Sequence, residues 1–335
     1  MARIEYAADQ PPSLFARWSS RLGLFCGVLL AVTLILHRLF AMPTPLALNI
    51  AASAFAGAAL ALAMALIAGL DIWVTGRQGA PRVIFAAVLG LSLSAVPVAL
   101  WAVSREWPDL NDITTDVEHP PEFVEIAKWR IGPTNPLRYP ADRFKAVQLA
   151  AYPDLKTLQI PRSATETFDI VLQALGKLKM RILAETPPGQ GANSSGLVEV
   201  VDKTLIMGFA DDVAIRVIGD DKSSRVDVRS ASRYGHSDFG RNSERVRHIL
   251  KEIVGRLEAS VPNSGGRRAP GTRPGTGKDG KTVKRPLVHG PESVVGRLKQ
   301  GLSRSDARRE PGQTGSPPAK DEGKSPGKSR GRSDE

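Results

Sequence analysis

Cysteine is almost missing from this 335-residue chain. The single one, Cys26, lies inside an apolar run, so no disulfide can close within the chain and no zinc site can be built on cysteines. The long apolar runs near the amino terminus hold no mid-membrane Asp, Glu or Lys, which argues against a proton or ion pathway and so against a transporter. Also missing is an acid–base–nucleophile set. His236 falls in a turn and His248 on the polar side of a predicted helix, so neither is placed to activate Ser230 or Ser232. His119, Asp112 and Asp116 belong to an oxygen-rich stretch that satisfies its own turns rather than a metal. No catalytic residue, metal ligand or cofactor is assigned.

Positive charge is abundant but uneven. The formal net charge is +11, and residues 265–335 hold 17 Lys+Arg against 8 Asp+Glu, so nine of those charges belong to the tail. A fold that binds nucleic acid carries its charge on the fold itself, so nucleic acid is not an expected partner. From Ser260 the chain is Gly, Pro, Ser, Lys and Arg with few aromatics, and it cannot bury enough apolar surface to fold. Residues 260–335 therefore read as a disordered basic tail, with Val294–Leu298 as a short helical exception. Such a tail can touch anionic lipid or cell-wall polymer, or stay solvated with no specific partner.

Three apolar runs, Leu22–Phe40, Leu46–Leu70 and Val83–Val103, each have about the 20 residues that a helix needs to cross a bilayer. The first is long for a signal peptide and lacks a clean small-x-small cleavage site, so it reads as an uncleaved span. Arg3, Arg17, Arg21, Arg77 and Arg82 lie on one side of the spans, against Arg38 and Arg105 on the other. That bias predicts a bacterial inner-membrane protein with residues 1–21 cytoplasmic, spans within 22–103, and everything after residue 103 periplasmic. Ser53, Gly57, Ala61, Ala65 and Gly69 form a small-residue stripe on the second span, suited to close helix packing or to oligomerisation. Pro97 predicts a kink in the third span.

Residues 104–161 read as an extended strap packed on the next domain by Phe123, Trp129, Tyr139 and Tyr152, with Trp101 and Trp107 at the membrane boundary. Residues 162–259 read as an α+β domain. Ser163 and Glu166 form a capping box, and Phe168, Val171, Leu172, Leu175 and Leu178 follow at helical spacing. Strands are predicted over Met180–Glu185, Leu197–Ile206, Val213–Ile218 and Arg225–Ser230, then a helix from near Asp238 burying Phe239, Val246, Ile249, Leu250, Ile253 and Leu257. The expected fold is a three-span helical anchor plus an antiparallel four-stranded sheet with both helices on one face. Val213, Ile215 and Val217 alternate with a polar row of Arg216, Asp227, Arg229 and Glu199, the mark of a half-exposed sheet.

The run Phe209-Ala210-Asp211-Asp212-Val213-Ala214-Ile215-Arg216-Val217 carries a resemblance. It continues through Asp227-Val228-Arg229-Ser230-Ala231-Ser232-Arg233, Gly235, Ser237-Asp238, Gly240, Asn242 and Arg245. These residues resemble the bacterial family called domain of unknown function 1499. Asp112-Ile113-Thr114-Thr115-Asp116, Pro120-Pro121 and Tyr152-Pro153-Asp154 resemble its membrane-anchored branch, so the likeness spans Asn111 to Leu257. It implies the domain but no activity, cofactor or catalytic residue. A cysteine-containing start seen in some relatives is absent here.

Two readings fit the motif residues Asp211, Asp212, Arg216, Arg229, Ser232, Arg233, Asp238, Asn242 and Arg245. Arg229, Arg233, Arg241 and Arg245 beside the helix amides at 237–240 suit a phosphate or carboxylate. Equally, the arginines and aspartates form a structural network, with Asp238 capping the helix and Asn242 satisfying buried backbone. Gly235 should take a positive φ, and Gly240 should let the helix start pack closely. The leading expectation is a non-enzymatic membrane protein whose periplasmic domain binds or organises an envelope component, a protein or an anionic ligand. An envelope hydrolase or transferase using Asp211, Asp212 or Ser232, and a purely structural scaffold, are the alternatives.

Overall fold

The computed structural model describes residue 11 and residues 13–130, 132–204 and 207–260. The basic tail beyond Ser260, its Val294–Leu298 stretch and Arg3 lie outside the described residues.

The apolar runs form α1 (Leu14–Leu39), α2 (Thr44–Thr75) and α3 (Ala80–Ser104), all long and apolar enough to cross a membrane. Each is longer than its apolar run. At 32 residues, α2 is roughly 48 Å long, which exceeds the ~30 Å hydrocarbon core. Its end leaves the apolar zone where Asp71 pairs with Arg77 at 3.3 Å. Pro97 lies inside α3, which continues to Ser104. The three helices pack on one another. The buried face of α2 is alanine: Ala47, Ala54, Ala58, Ala61, Ala65 and Ala68. Of the predicted stripe, Ala61 and Ala65 lie on this face and Ser53 is exposed. A Cβ at Gly57 would sit 2.6 Å from Cys26 Sγ, so the backbones of α1 and α2 approach closely only because Gly57 has no side chain.

After α3 come β1 (Asp112–Thr114), α4 (Glu125–Trp129), α5 (Ala141–Ala151), β2 (Leu158–Ile160), α6 (Ala164–Lys177), β3 (Arg181–Thr186), β4 (Ser194–Lys203), β5 (Ala210–Gly219), β6 (Ser224–Ser232) and α7 (Arg241–Ala259). Ser163 accepts a hydrogen bond from the Glu166 amide and caps α6 as its sequence requires. The sheet is antiparallel, and it has six strands rather than four, in the order β1-β6-β5-β4-β3, with β2 also on β6. The two extra strands come from 104–161. β1 pairs with Arg229–Ala231 and β2 with Ser224–Val226, so the two lie end to end along one side of β6. Each has only three residues, too short for its own periodicity to show in sequence. The strap is not merely extended, since it also holds α4 and α5.

Alternation sorts the sheet into two faces. Val198, Val200, Val213, Ile215, Val217, Val226 and Val228 share one, and all are buried. Both α6 and α7 cover it, as expected: Thr167 of α6 hydrogen-bonds Ser224 at 2.7 Å, and Asn242 and Arg245 of α7 reach Ser230. The other face is not half-exposed. Phe123 and Ile126 from the strap pack on Ala214 and Ala231, joined by Leu137, Leu197 and Val201. The strap thus forms a second cover, under which Asp227, Arg229 and Glu199 are all buried. Phe123, Tyr139 and Tyr152 are buried as predicted, but Trp129 is 65% exposed.

Gly90 of α3 faces α2, where an added Cβ would meet the Ala58 carbonyl at 3.2 Å and the Leu62 backbone at 3.2 Å. Replacing it with valine should cost about 1–3 kcal/mol by overpacking. Gly69→Ala, whose Cβ meets Val83 at an ordinary 3.7 Å, should be close to neutral. Thermal melts of the detergent-solubilised variants measure both.

Candidate functional site

Asp211 and Asp212 are neighbours in sequence, and the strand sends them to opposite faces of the sheet. Asp211 lies opposite Ser232 and Asp202, on the face under α7; Asp212 lies opposite Ala231 and Val201, under the strap. They cannot act together on one substrate atom. The motif residues divide accordingly into two networks at the same end of the sheet.

Under α7, Arg245 is the hub. Its Nε donates to Asp202 at 2.8 Å, Nη2 to Asp211 at 2.7 Å, and Nη1 to Ser230 and to Asn242 Oδ1 at 3.0 and 2.7 Å. Asn242 Nδ2 donates to Ser232 Oγ and to the Asn111 carbonyl, each at 3.0 Å. The Ser232 hydroxyl in turn bonds Asp211, so it is no free nucleophile. Asp238 caps the helix: its carboxylate accepts the amides of Gly240 and Asn242 at 2.8 and 2.7 Å. The helix therefore starts at Arg241, a little later than expected. The backbone enters it through positive φ at Gly235, Phe239 and Gly240. A Cβ on Gly240 would overlap the Trp107 ring, which is why glycine is needed where the domain meets the chain leaving α3.

Under the strap, the positive charges bind strap and sheet together. Arg229 donates to both carboxylate oxygens of Asp112, at 3.0 and 2.7 Å, and to the carbonyls of Pro121 and Leu137. Its guanidinium stacks 4.5 Å from the Phe123 ring. Asp212 is held from two sides, by Arg130 at 2.6 Å and by Arg233 at 2.6 Å. Arg216 bridges Asp227, directly opposite it on β6, to Asp116 and to the His119 carbonyl. Glu199 accepts the amides of Val124, Glu125 and Ile126 at 2.7–3.1 Å, satisfying the start of α4.

The predicted arginine cluster is therefore dispersed. Arg229 and Arg245 are buried on opposite faces, Arg233 is held on Asp212, and Arg241 is exposed. Sequence reading missed Arg130, Asp202 and the cap formed by Glu199. Arg130 stands alone in a Pro-rich stretch without periodicity, so nothing local marked it. The Arg229–Asp112 pair joins two quoted motifs, and only the β1–β6 pairing reveals it. Among the described residues, no group of three His, Cys, Asp or Glu side chains could hold a metal. Asp116 instead caps the amides of Glu118 and His119.

Burial pushes the carboxyls of Asp112, Asp211 and Asp238 above the usual range. Arg229 opposes this at Asp112, Arg245 and Ser232 at Asp211, and the two capped amides at Asp238. Burial also raises the Tyr139 phenol, helped by the Asp112 charge. Arg245 is held further toward its charged form: burial pulls it down, but Asp211 and Asp202 prevail. The arrangement neutralises buried charge and offers no acid–base pair open to water.

Residues 112–253 match the family described as "Protein of unknown function (DUF1499)". The stretch agrees closely with that read from the motifs. No curated protein and no solved structure matches the chain.

Two outcomes follow from these networks. Arg245→Ala leaves Asp211 buried and unpaired and should destabilise the protein by about 3–5 kcal/mol, whereas Arg241→Ala should change stability by under about 0.5 kcal/mol. Denaturant titration of the two variants separates them. The raised carboxyls stabilise the fold when protonated and lose that contribution as pH climbs through their raised values. Asp220 and Glu252 are shifted the other way. Amides of Lys222 and Ser223 lower Asp220, while Lys177 and Arg256 overcome burial at Glu252. Their contribution is lost only as pH falls below the ordinary carboxylate values, about 4. The melting temperature should therefore rise as pH is lowered from neutrality and fall again below about 4. A steady decline from pH 7 downward would contradict this.

Proposed function

We propose, for a chain whose α+β domain belongs to this family, a non-catalytic role at the membrane: the helices anchor a braced domain that binds or organises a component of the bacterial envelope. What carries the reading is that the motif residues offered for chemistry are used elsewhere. Asp211 and Asp212 sit on opposite faces, and each is neutralised by arginine. Ser232 is bonded to Asp211 and Asn242. A hydrolase or transferase needs a nucleophile with a base in reach and an open approach, whereas this arrangement suits a rigid platform. The Lys and Arg bias of the loops supports a cytoplasmic amino terminus and a periplasmic domain.

Two experiments test this. A periplasm-active reporter fused after Leu257 should be active, and silence there would reverse the orientation. The purified protein, assayed against phosphoester, acyl ester and glycoside reporters, should give no turnover that Ser232→Ala or Asp211→Asn abolishes. Turnover lost in either variant would replace the binding role by an enzymatic one.

A further inference from the structure

The domain does not simply hang from the membrane helices, because the turn between α1 and α2 touches it. The His37 ring at the end of α1 lies 5.7 Å from the ring of Phe209, in the β4–β5 connection. His37 Nδ1 donates to the Met42 carbonyl at 2.8 Å, which fixes the turn. A Cβ at Gly208 would lie 3.3 Å from the Arg38 side chain, so that arginine rests on the same connection. Between the turn and the domain is a cleft of about 460 Å³. Met42 and Pro43 form its membrane-side wall, and Lys203, Arg233 and Tyr234 its domain-side wall, with His37 at the junction.

The charge in this cleft is of one sign. Among the described residues, no Asp or Glu lines it. Lys203 and, beside the cleft, Arg38 have no acidic partner among the described residues, whereas the arginines of the domain with buried side chains, Arg130, Arg229 and Arg245, are all paired. Arg233 binds Asp212 through Nε and Nη2, which leaves Nη1 without a partner among the described residues. The height of the cleft follows from the topology. It opens where α1 ends and α2 begins, on the side to which α3 delivers the domain. That is the headgroup level of a bilayer spanned by these helices. An apolar wall toward the membrane, unpaired Lys203 on the domain side and unpaired Arg38 at the end of α1 match an amphiphile with an anionic head.

We infer that this cleft holds the phosphodiester headgroup of an anionic phospholipid, with Lys203 and Arg38 contacting the phosphate, Arg233 and Tyr234 at its back, and the acyl chains leaving along α1 and α2. This names a ligand class for the binding role proposed above. It rests on the helices spanning a bilayer, and it holds whichever compartment the domain faces.

The test uses the full chain in nanodiscs of phosphatidylcholine alone or with added phosphatidylglycerol, read by thermal melting and by the lipid retained after extraction. Phosphatidylglycerol should raise the melting temperature and be retained preferentially. Its apparent affinity should fall about fivefold for each charge removed in Arg38→Gln and Lys203→Gln. Both side chains lie outside the buried networks, so these variants should fold. Lys222→Gln, in the β5–β6 turn at the far end of the sheet, should keep the full preference. Equal stabilisation in both lipids, or an equal loss in Lys222→Gln, would overturn the site. Stabilisation by inorganic phosphate in detergent without any phosphatidylglycerol preference would overturn its lipid identity. A reversed topology in the reporter assay would alter neither result, so the two proposals fail separately.

Discussion

The structure depends on one buried ion pair, Arg229 with Asp112. It joins the middle of the last strand to the first strand after the three apolar helices. Arg229 is 1% exposed and Asp112 3%, so both charges have left water almost completely. Removing two charges from water costs about as much as their attraction returns, so such a pair adds little net stability over an apolar replacement. What it does is specify. With two carboxylate oxygens, two backbone carbonyls and an aromatic face around it, the guanidinium accepts a single placement of the strap. That placement sets the β1 register, and β1 follows closely on α3. The pair thereby fixes where the domain stands over its anchor.

A sheet covered on both faces follows from this. Without the strap, Ala214, Ala231, Leu197 and Val201 would face water, and β6 would be an edge strand with open hydrogen-bonding groups. With it, consecutive residues have separate tasks. Asp211 belongs to the helix-side network and Asp212 to the strap-side network. The motif therefore reads as two interleaved half-networks, one per face. Each fastens a neighbouring layer, and neither leaves an open reactive centre. Outside both, Lys203 and Arg38 at the cleft beside the α1–α2 turn have no carboxylate partner among the described residues.

The sequence made legible what repeats or what has strong local chemistry. The three apolar runs, the capped helix from Ser163, the four long strands and the closing helix all show because burial imposes a period on enough residues to be seen. Gly235 and Gly240 were readable as backbone necessities. The family likeness marked the correct stretch. What escaped was whatever depends on pairing at a distance. β1 and β2 are too short to alternate visibly, so the sheet read as four strands. The polar row of Arg216, Asp227, Arg229 and Glu199 looked solvent-facing because nothing in those strands announces the strap above them. Likewise, Arg229, Arg233, Arg241 and Arg245 looked like one cluster, although strand alternation and the turn send them to different places.

Arg229 and Asp112 are energetically coupled and thereby lock the strap to the sheet. A double-mutant cycle with Asp112→Asn, Arg229→Gln and the double variant, measured by denaturant unfolding of the solubilised full chain, tests it most directly. The expected coupling is about 2–3 kcal/mol. Amide exchange in β1 should accelerate in both single variants. Additive losses with unchanged β1 protection would mean that the strap is held by apolar contact alone and that the pair is incidental.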